Sequence, residues 1–226
     1  YPTQSILRPG IMPTGIIQGQ TNLGLRALKT VTWDVKAEFG VVPDWQGEVS
    51  YGGLEWNDFK KSHIVTLGTK YNYWSIPHVS YTASFSLPVH IADQEIVREF
   101  TVGLPVVFYN NIMAGSILGD LYTLTMRPET EMEFKFPFWY GIQVYGDWWA
   151  MVDSSFGRIK MESKEKKRTW STAGFWKELP ANLSVTYAFN HYVDLGGNVG
   201  FGDVFNAKDS MKFGLTLTIR GGRLFG

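Results

Sequence analysis

From Val79 to Ile91 the chain alternates between apolar and polar positions. Val79, Tyr81, Ala83, Phe85, Leu87, Val89 and Ile91 share one parity; Ser80, Thr82, Ser84, Ser86, Pro88 and His90 share the other. Successive side chains of a strand point to opposite faces, so such a segment has one dry face and one wet face. The same period recurs over Val31–Val41, Val65–Tyr73, Phe100–Phe108, Met132–Phe138, Ile142–Ala150, Trp170–Trp176, Leu183–Phe189 and Met211–Ile219. Between Val49/Tyr51 and Leu54/Trp56 the parity slips across Gly52-Gly53, as at a β-bulge. A weaker strand over Gly15–Ala27 and an ambiguous one over Ile112–Met126, with a second bulge near Gly119, bring the expected total to about twelve.

The expected connections alternate in length. Those after Val42, Trp74, Tyr109, Phe136 and Leu179 read as short turns. Those after Asn57, Ile91, Met126, Val152 and Asp194 read as longer polar loops, the extremes being Asp153–Lys167 and Leu195–Lys208. This predicts an all-β, antiparallel up-and-down meander with both termini at the short-turn end. Residues 1–14 form a terminal segment, periplasmic or entering the lumen, and residues 15–226 form one barrel.

Charge and composition decide which solvent lies on each face. The polar parity carries Asp34, Lys36, Glu38, Lys70, Glu99, Glu133, Lys135, Asp147, Lys212 and Arg220, too many charges for a protein interior. The apolar parity is nearly free of charge over about 9–11 residues per segment, the length a tilted strand needs to cross a bilayer. Aromatic residues gather near segment ends: Trp74, Trp139, Tyr140 and Trp176 at expected short turns, Trp33 and Trp170 near the longer loops. That placement matches the two interfacial girdles of a membrane barrel. A soluble sandwich or lipocalin-like barrel shares the alternation, but it would have to bury every outward aromatic against a second sheet.

Lys plus Arg equals Asp plus Glu at 21 each, so no global field recruits nucleic acid. The chain has no Cys, which excludes disulfides and thiolate metal sites. The longest uncharged stretch, Phe100–Gly119, holds Pro105, Asn110-Asn111 and 3 glycines, and would not make a spanning helix. Beginning at Tyr1, the sequence reads as a processed chain whose signal has been removed.

The pattern from Gly15 to Arg220 resembles the bacterial outer-membrane β-barrel family, and within it the twelve-stranded small channels. The resemblance rests on the whole pattern rather than on a motif. The family commonly ends on a terminal Phe, whereas here Phe225 is penultimate. It implies an integral outer-membrane protein, in contact with lipid and lipopolysaccharide, passing small polar solutes through a lumen filtered by the inward charges. A non-conducting structural or partner-binding barrel is the alternative.

A barrel acyl hydrolase is the third reading. Such enzymes use a His followed two positions later by Ser, then Asn; His78-Val79-Ser80 has the spacing, but Tyr81 stands where Asn is needed. Any alternating strand supplies two residues on one face, so no catalytic residue is expected. Asp194, Asp203 and Asp209 match no Ca²⁺-loop spacing, and a solvated loop accounts for them. No metal or cofactor is expected. The bases Arg158, Lys160, Lys164, Lys166, Lys167 and Arg168 read as a solvated loop able to touch lipopolysaccharide phosphates.

Overall fold

The computed structural model describes residues 11–26, 30–55, 63–92, 95–126, 130–164, 167–173 and 179–222. Its strand segments are β1 (Ile17–Arg26), β2 (Thr30–Val42), β3 (Trp45–Glu55), β4 (His63–Ile76), β5 (Val79–Ala92), β6 (Glu95–Gly103), β7 (Val106–Tyr109), β8 (Met113–Ile117), β9 (Asp120–Met126), β10 (Thr130–Tyr145), β11 (Trp148–Lys164), β12 (Lys167–Ala173), β13 (Ala181–Ala188), β14 (Val193–Phe201) and β15 (Met211–Gly221). Segments β6 and β7 both pair with β5, β8 and β9 with β10, and β12 and β13 with β11. Each of these couples is one barrel strand with an interruption. The last strand returns to the first, from Ile17 opposite Gly221 to Arg26 opposite Lys212. The result is a closed antiparallel barrel of twelve strands, with no free edge.

The strand number agrees with the alternation, but two of the strands behind it do not. Met132–Phe138 and Ile142–Ala150 are not two strands joined at Phe138-Trp139-Tyr140: β10 runs straight through, and the chain reverses at Gly146-Asp147 before β11. Likewise Trp170–Ala173 and Leu183–Ala188 belong to one barrel strand. The expected loops Asp153–Lys167 and Leu195–Lys208 instead contain most of β11 and β14. The contrast in loop length is accordingly smaller than expected. Residues 93–94 and 165–166 alone separate β5 from β6 and β11 from β12, while residues 202–210 separate β14 from β15.

The short-turn end uses local chemistry. Pro43-Asp44 and Pro77-His78 each place Pro first and a positive-φ residue second (Asp44 φ 65°, His78 φ 69°), the pattern of a type II turn. At the next reversals Asn110 Oδ1 accepts from the Ile112 and Met113 amides at 2.8 Å each, and Asn190 Oδ1 from Tyr192 and Val193 at 2.8 and 2.9 Å. The bulge expected at Gly52-Gly53 is present, with Gly53 at φ 81° and its amide 3.2 Å from Asp34 Oδ1. The break expected near Gly119 is where β8 gives way to β9, with Leu118 at φ 61°. Pro105 and Pro137 flank this irregular band, their carbonyls accepting from Thr82 and Leu118, so neither proline is asked for a ladder donor.

Burial is inverted relative to a soluble protein. Among the described residues the buried apolar side chains are Met12, Ala114, Trp149 and Ala188, whereas Gln46, Thr82, Ser84, Thr101, Ser116, Thr125, Asp194, Thr218 and Arg220 are buried polar ones. Large apolar residues lie outside: Leu215 is 63% exposed, Leu67 and Leu183 56% each. Among the described residues no second sheet covers them, and all strands belong to one closed sheet, which removes the sandwich. An exterior of this kind is stable only against hydrocarbon.

Candidate channel lumen

The barrel encloses a cavity of about 1190 Å³. The wet parity of β5 forms one wall, through Ser80, Thr82, Ser84 and Ser86, with Ser116 and Asp120 continuing it. Small hydroxyl side chains leave open volume there. The adjoining wall, from β2 to β4, carries charge.

Lys36 and Lys70, both lining the cavity, are drawn together by two carboxylates. Lys36 Nζ lies 2.9 Å from Glu38 Oε1 and 3.1 Å from Glu48 Oε2; Lys70 Nζ lies 3.7 and 3.3 Å from the same atoms. Glu38 and Glu48 are direct cross-strand neighbours, an arrangement that repels unless cations stand between them. Gln18 and Gln46 each donate to Glu38 at 3.0 Å. Gly68 makes room: a Cβ there would come within 2.5 Å of Glu48 Cγ. Glu48 was not among the expected charges, although the outward parity of Val49 and Tyr51 already places it inside.

The other expected residues divide. Asp34 lies at the bulge, where its carboxylate caps Gly53. Glu99 accepts from Thr125 at 3.4 Å and lies 3.2 Å from His90 Nε2. Lys135 pairs with Glu133 at 3.1 Å on its own strand. Lys212 is exposed at the start of β15. Asp147 is not a wall residue; it sits in the β10–β11 turn, its carbonyl accepting from Ala188. Arg220 is buried against Asp194 in an ion pair, its Nε donating to Gln18 Oε1 at 2.7 Å. Asp194 therefore belongs to the β14 wall and not to a Ca²⁺ loop. Asp203 instead holds the following turn, accepting from Leu179 and Phe205 at 3.3 and 3.1 Å.

Of the expected interfacial aromatics, Trp33 and Trp74 face out at 40% and 55% exposure, and Trp74 stacks on Tyr81 at 4.9 Å. Tyr140 also faces out, its hydroxyl on Met113. Trp139 is the exception. It lines the cavity and packs on Ala114 and Trp149, because β10 continues past the supposed turn and odd positions there point inward. Trp170 lies in β12 opposite Met161, and Trp176 falls outside the described residues. Lys160 is held 3.1 Å from Glu131 across the β10–β11 pair, on a strand and not in a basic loop.

Residues 11–16, ahead of β1, lie against the inner wall. Met12, 5% exposed, donates its amide to Gln46 Oε1 at 2.8 Å, and Ile11, Met12 and Pro13 line the cavity. Gly15 donates to Gly40 and Gly40 to Ile16, at 3.1 and 3.0 Å. Gly40 is required for this approach, since a Cβ there would meet the Pro13 carbonyl oxygen at 2.1 Å.

A closed antiparallel barrel that is wet inside and apolar outside is a transmembrane β-barrel of the outer-membrane type. Its solved likenesses include the NanC porin (TM-score 0.58, 7% identity, covering 92% of this chain and 100% of that one) and the KdgM porin (0.57, 9%, 90% and 98%). The COG4313 outer membrane channel from Pseudomonas putida F1 is similar too (0.60, 9%, 95% and 100%). These likenesses are of fold. No protein-family model matches the chain, and no curated protein matches it.

Proposed function

We propose that this chain is a passive outer-membrane channel for small polar solutes. The observation that carries the reading is the cavity of about 1190 Å³ inside a barrel of closed strands, with hydroxyl and charged side chains on its lining. Its walls combine hydroxyls with ionised side chains, the lining that replaces part of a solute's hydration shell during passage. Reconstitution of the purified full chain in planar bilayers should give stepwise ion current; no current in either orientation would overturn the reading.

A closed, non-conducting barrel is the second reading, favoured by the strap Ile11–Pro13 across the inner wall. The two are separated by Gly40→Ala, which must push the Pro13 carbonyl off the wall. Single-channel conductance should rise while the β circular dichroism stays unchanged. An unaltered conductance would show that the strap does not limit the lumen.

Catalysis finds no support at His78 and Ser80. His78 sits in a left-handed turn and not on the strand, so it does not share with Ser80 the strand face that the two-residue spacing would supply. Lipid hydrolysis lost on Ser80→Ala would revive it. The basic residues of the β11–β12 hairpin remain the part proposed to meet lipopolysaccharide phosphates; unchanged lipopolysaccharide retention after their exchange for Gln would remove that contact.

A further inference from the structure

The charges of the cavity do not cancel as simply as those of the chain. Lys36 and Lys70 are each within 4 Å of both Glu38 and Glu48, so the two ammoniums and two carboxylates form a closed neutral set. What remains on the lining is acidic: Asp44, Asp120 and Asp153. Among the described residues no basic side chain pairs with any of the three. Asp44 accepts from Asn72 Nδ2 at 3.2 Å and Asp153 from Asn182 Nδ2 at 2.8 Å, contacts that orient a carboxylate without neutralising it.

The three acids stand on separate parts of the wall: the β2–β3 turn, the start of β9, and β11. They therefore act on the whole cross-section and not at one point. A cavity with low-dielectric walls and an excess of one sign concentrates counter-ions and excludes co-ions. We propose that the lumen is cation-preferring, and that Asp120 and Asp153 set this preference while the Lys36–Glu38–Glu48–Lys70 network silences the two lysines. The solutes admitted are then cationic or neutral polar molecules, with anions disfavoured.

This rests on the channel reading, and the test separates the two. The zero-current potential of the full chain is measured across a KCl gradient in a planar bilayer. Its sign should report K⁺ preferred over Cl⁻. The preference should shrink as salt is raised, because the Debye length falls from ~10 Å at 0.1 M to ~3 Å at 1 M. Asp120→Asn with Asp153→Asn should move the potential toward zero. Lys70→Gln, which releases part of the neutral set as net negative charge, should move it further toward K⁺. Current with anion preference, or a preference unmoved by salt and by both variants, overturns this inference alone. Complete absence of current overturns the channel reading with it. The sign and salt dependence for the unaltered chain decide the matter even if a variant fails to insert.

Discussion

Replacing Arg220 by methionine should lower barrel stability by about 3–5 kcal/mol, the cost of breaking a buried ion pair by removing one partner. Arg220 is 6% exposed and Asp194 2%. Loss of the guanidinium removes the Arg220–Asp194 ion pair from a buried site, and also the 2.7 Å bond to Gln18. The position compounds the effect. Arg220 lies on β15, Asp194 on β14 and Gln18 on β1, so one side chain ties together the three strands at which the first and last elements meet. Urea titration of the protein folded into liposomes measures the loss. The double variant Arg220→Met, Asp194→Leu should recover much of it, since the buried carboxylate is removed with its arginine. A single variant as stable as the unaltered chain would show that the pair is not the clasp of the seam.

How much of this was legible in the sequence depends on what interrupts the alternation. β5 keeps strict parity for its whole length, and its hydroxyl face does line the cavity. β11 does not. Phe156 pairs with Phe136 but Ile159 with Phe134, and Gly157 stands between them at φ 69°. That bulge reverses which parity is apolar, so residues after Asp153 look like an irregular polar loop although the strand goes on. β14 fails differently. Val193, Leu195, Val199 and Phe201 do alternate, but Gly196, Gly197 and Gly200 make the segment read as a turn. In the fold these glycines admit neighbouring side chains: a Cβ at Gly196 or Gly200 would meet Thr186 Oγ1 or Asn182 Oδ1 at 3.1 Å. Trp139 shows the limit of local reading for the site. Flanked by Phe138 and Tyr140, it resembles an interfacial residue, yet strand continuity alone sends it into the lumen. The two missed strands, β11 and β14, were offset in the expected count by two strands each read as a pair, β10 and the strand made of β12 and β13, which is why the number twelve survived. The charge network was half visible: alternation finds its members, but only cross-strand register shows that Glu38 and Glu48 sit face to face.

Arginine at Leu215 should destabilise the folded barrel by about 2–4 kcal/mol, while arginine one residue on, at Thr216, should leave folding nearly intact. Leu215 is in the middle of β15, 63% exposed, between Leu23 and Gly197 on the neighbouring strands. Nothing there can hydrogen-bond a guanidinium, so the side chain must snorkel to an interface or carry its charge in hydrocarbon. Thr216 has the opposite parity, with its hydroxyl 3.2 Å from Asn22 Oδ1 and Gly196 alongside. A guanidinium at that position meets water and lumen oxygens, so its effect should appear instead as a lower cation preference. Measuring both variants by the same titration and the same bilayer recording gives two readouts that move in opposite order. Equal stability losses at the two sites would mean that β15 does not divide lipid from water, and the inside-out assignment of the barrel would fall with it.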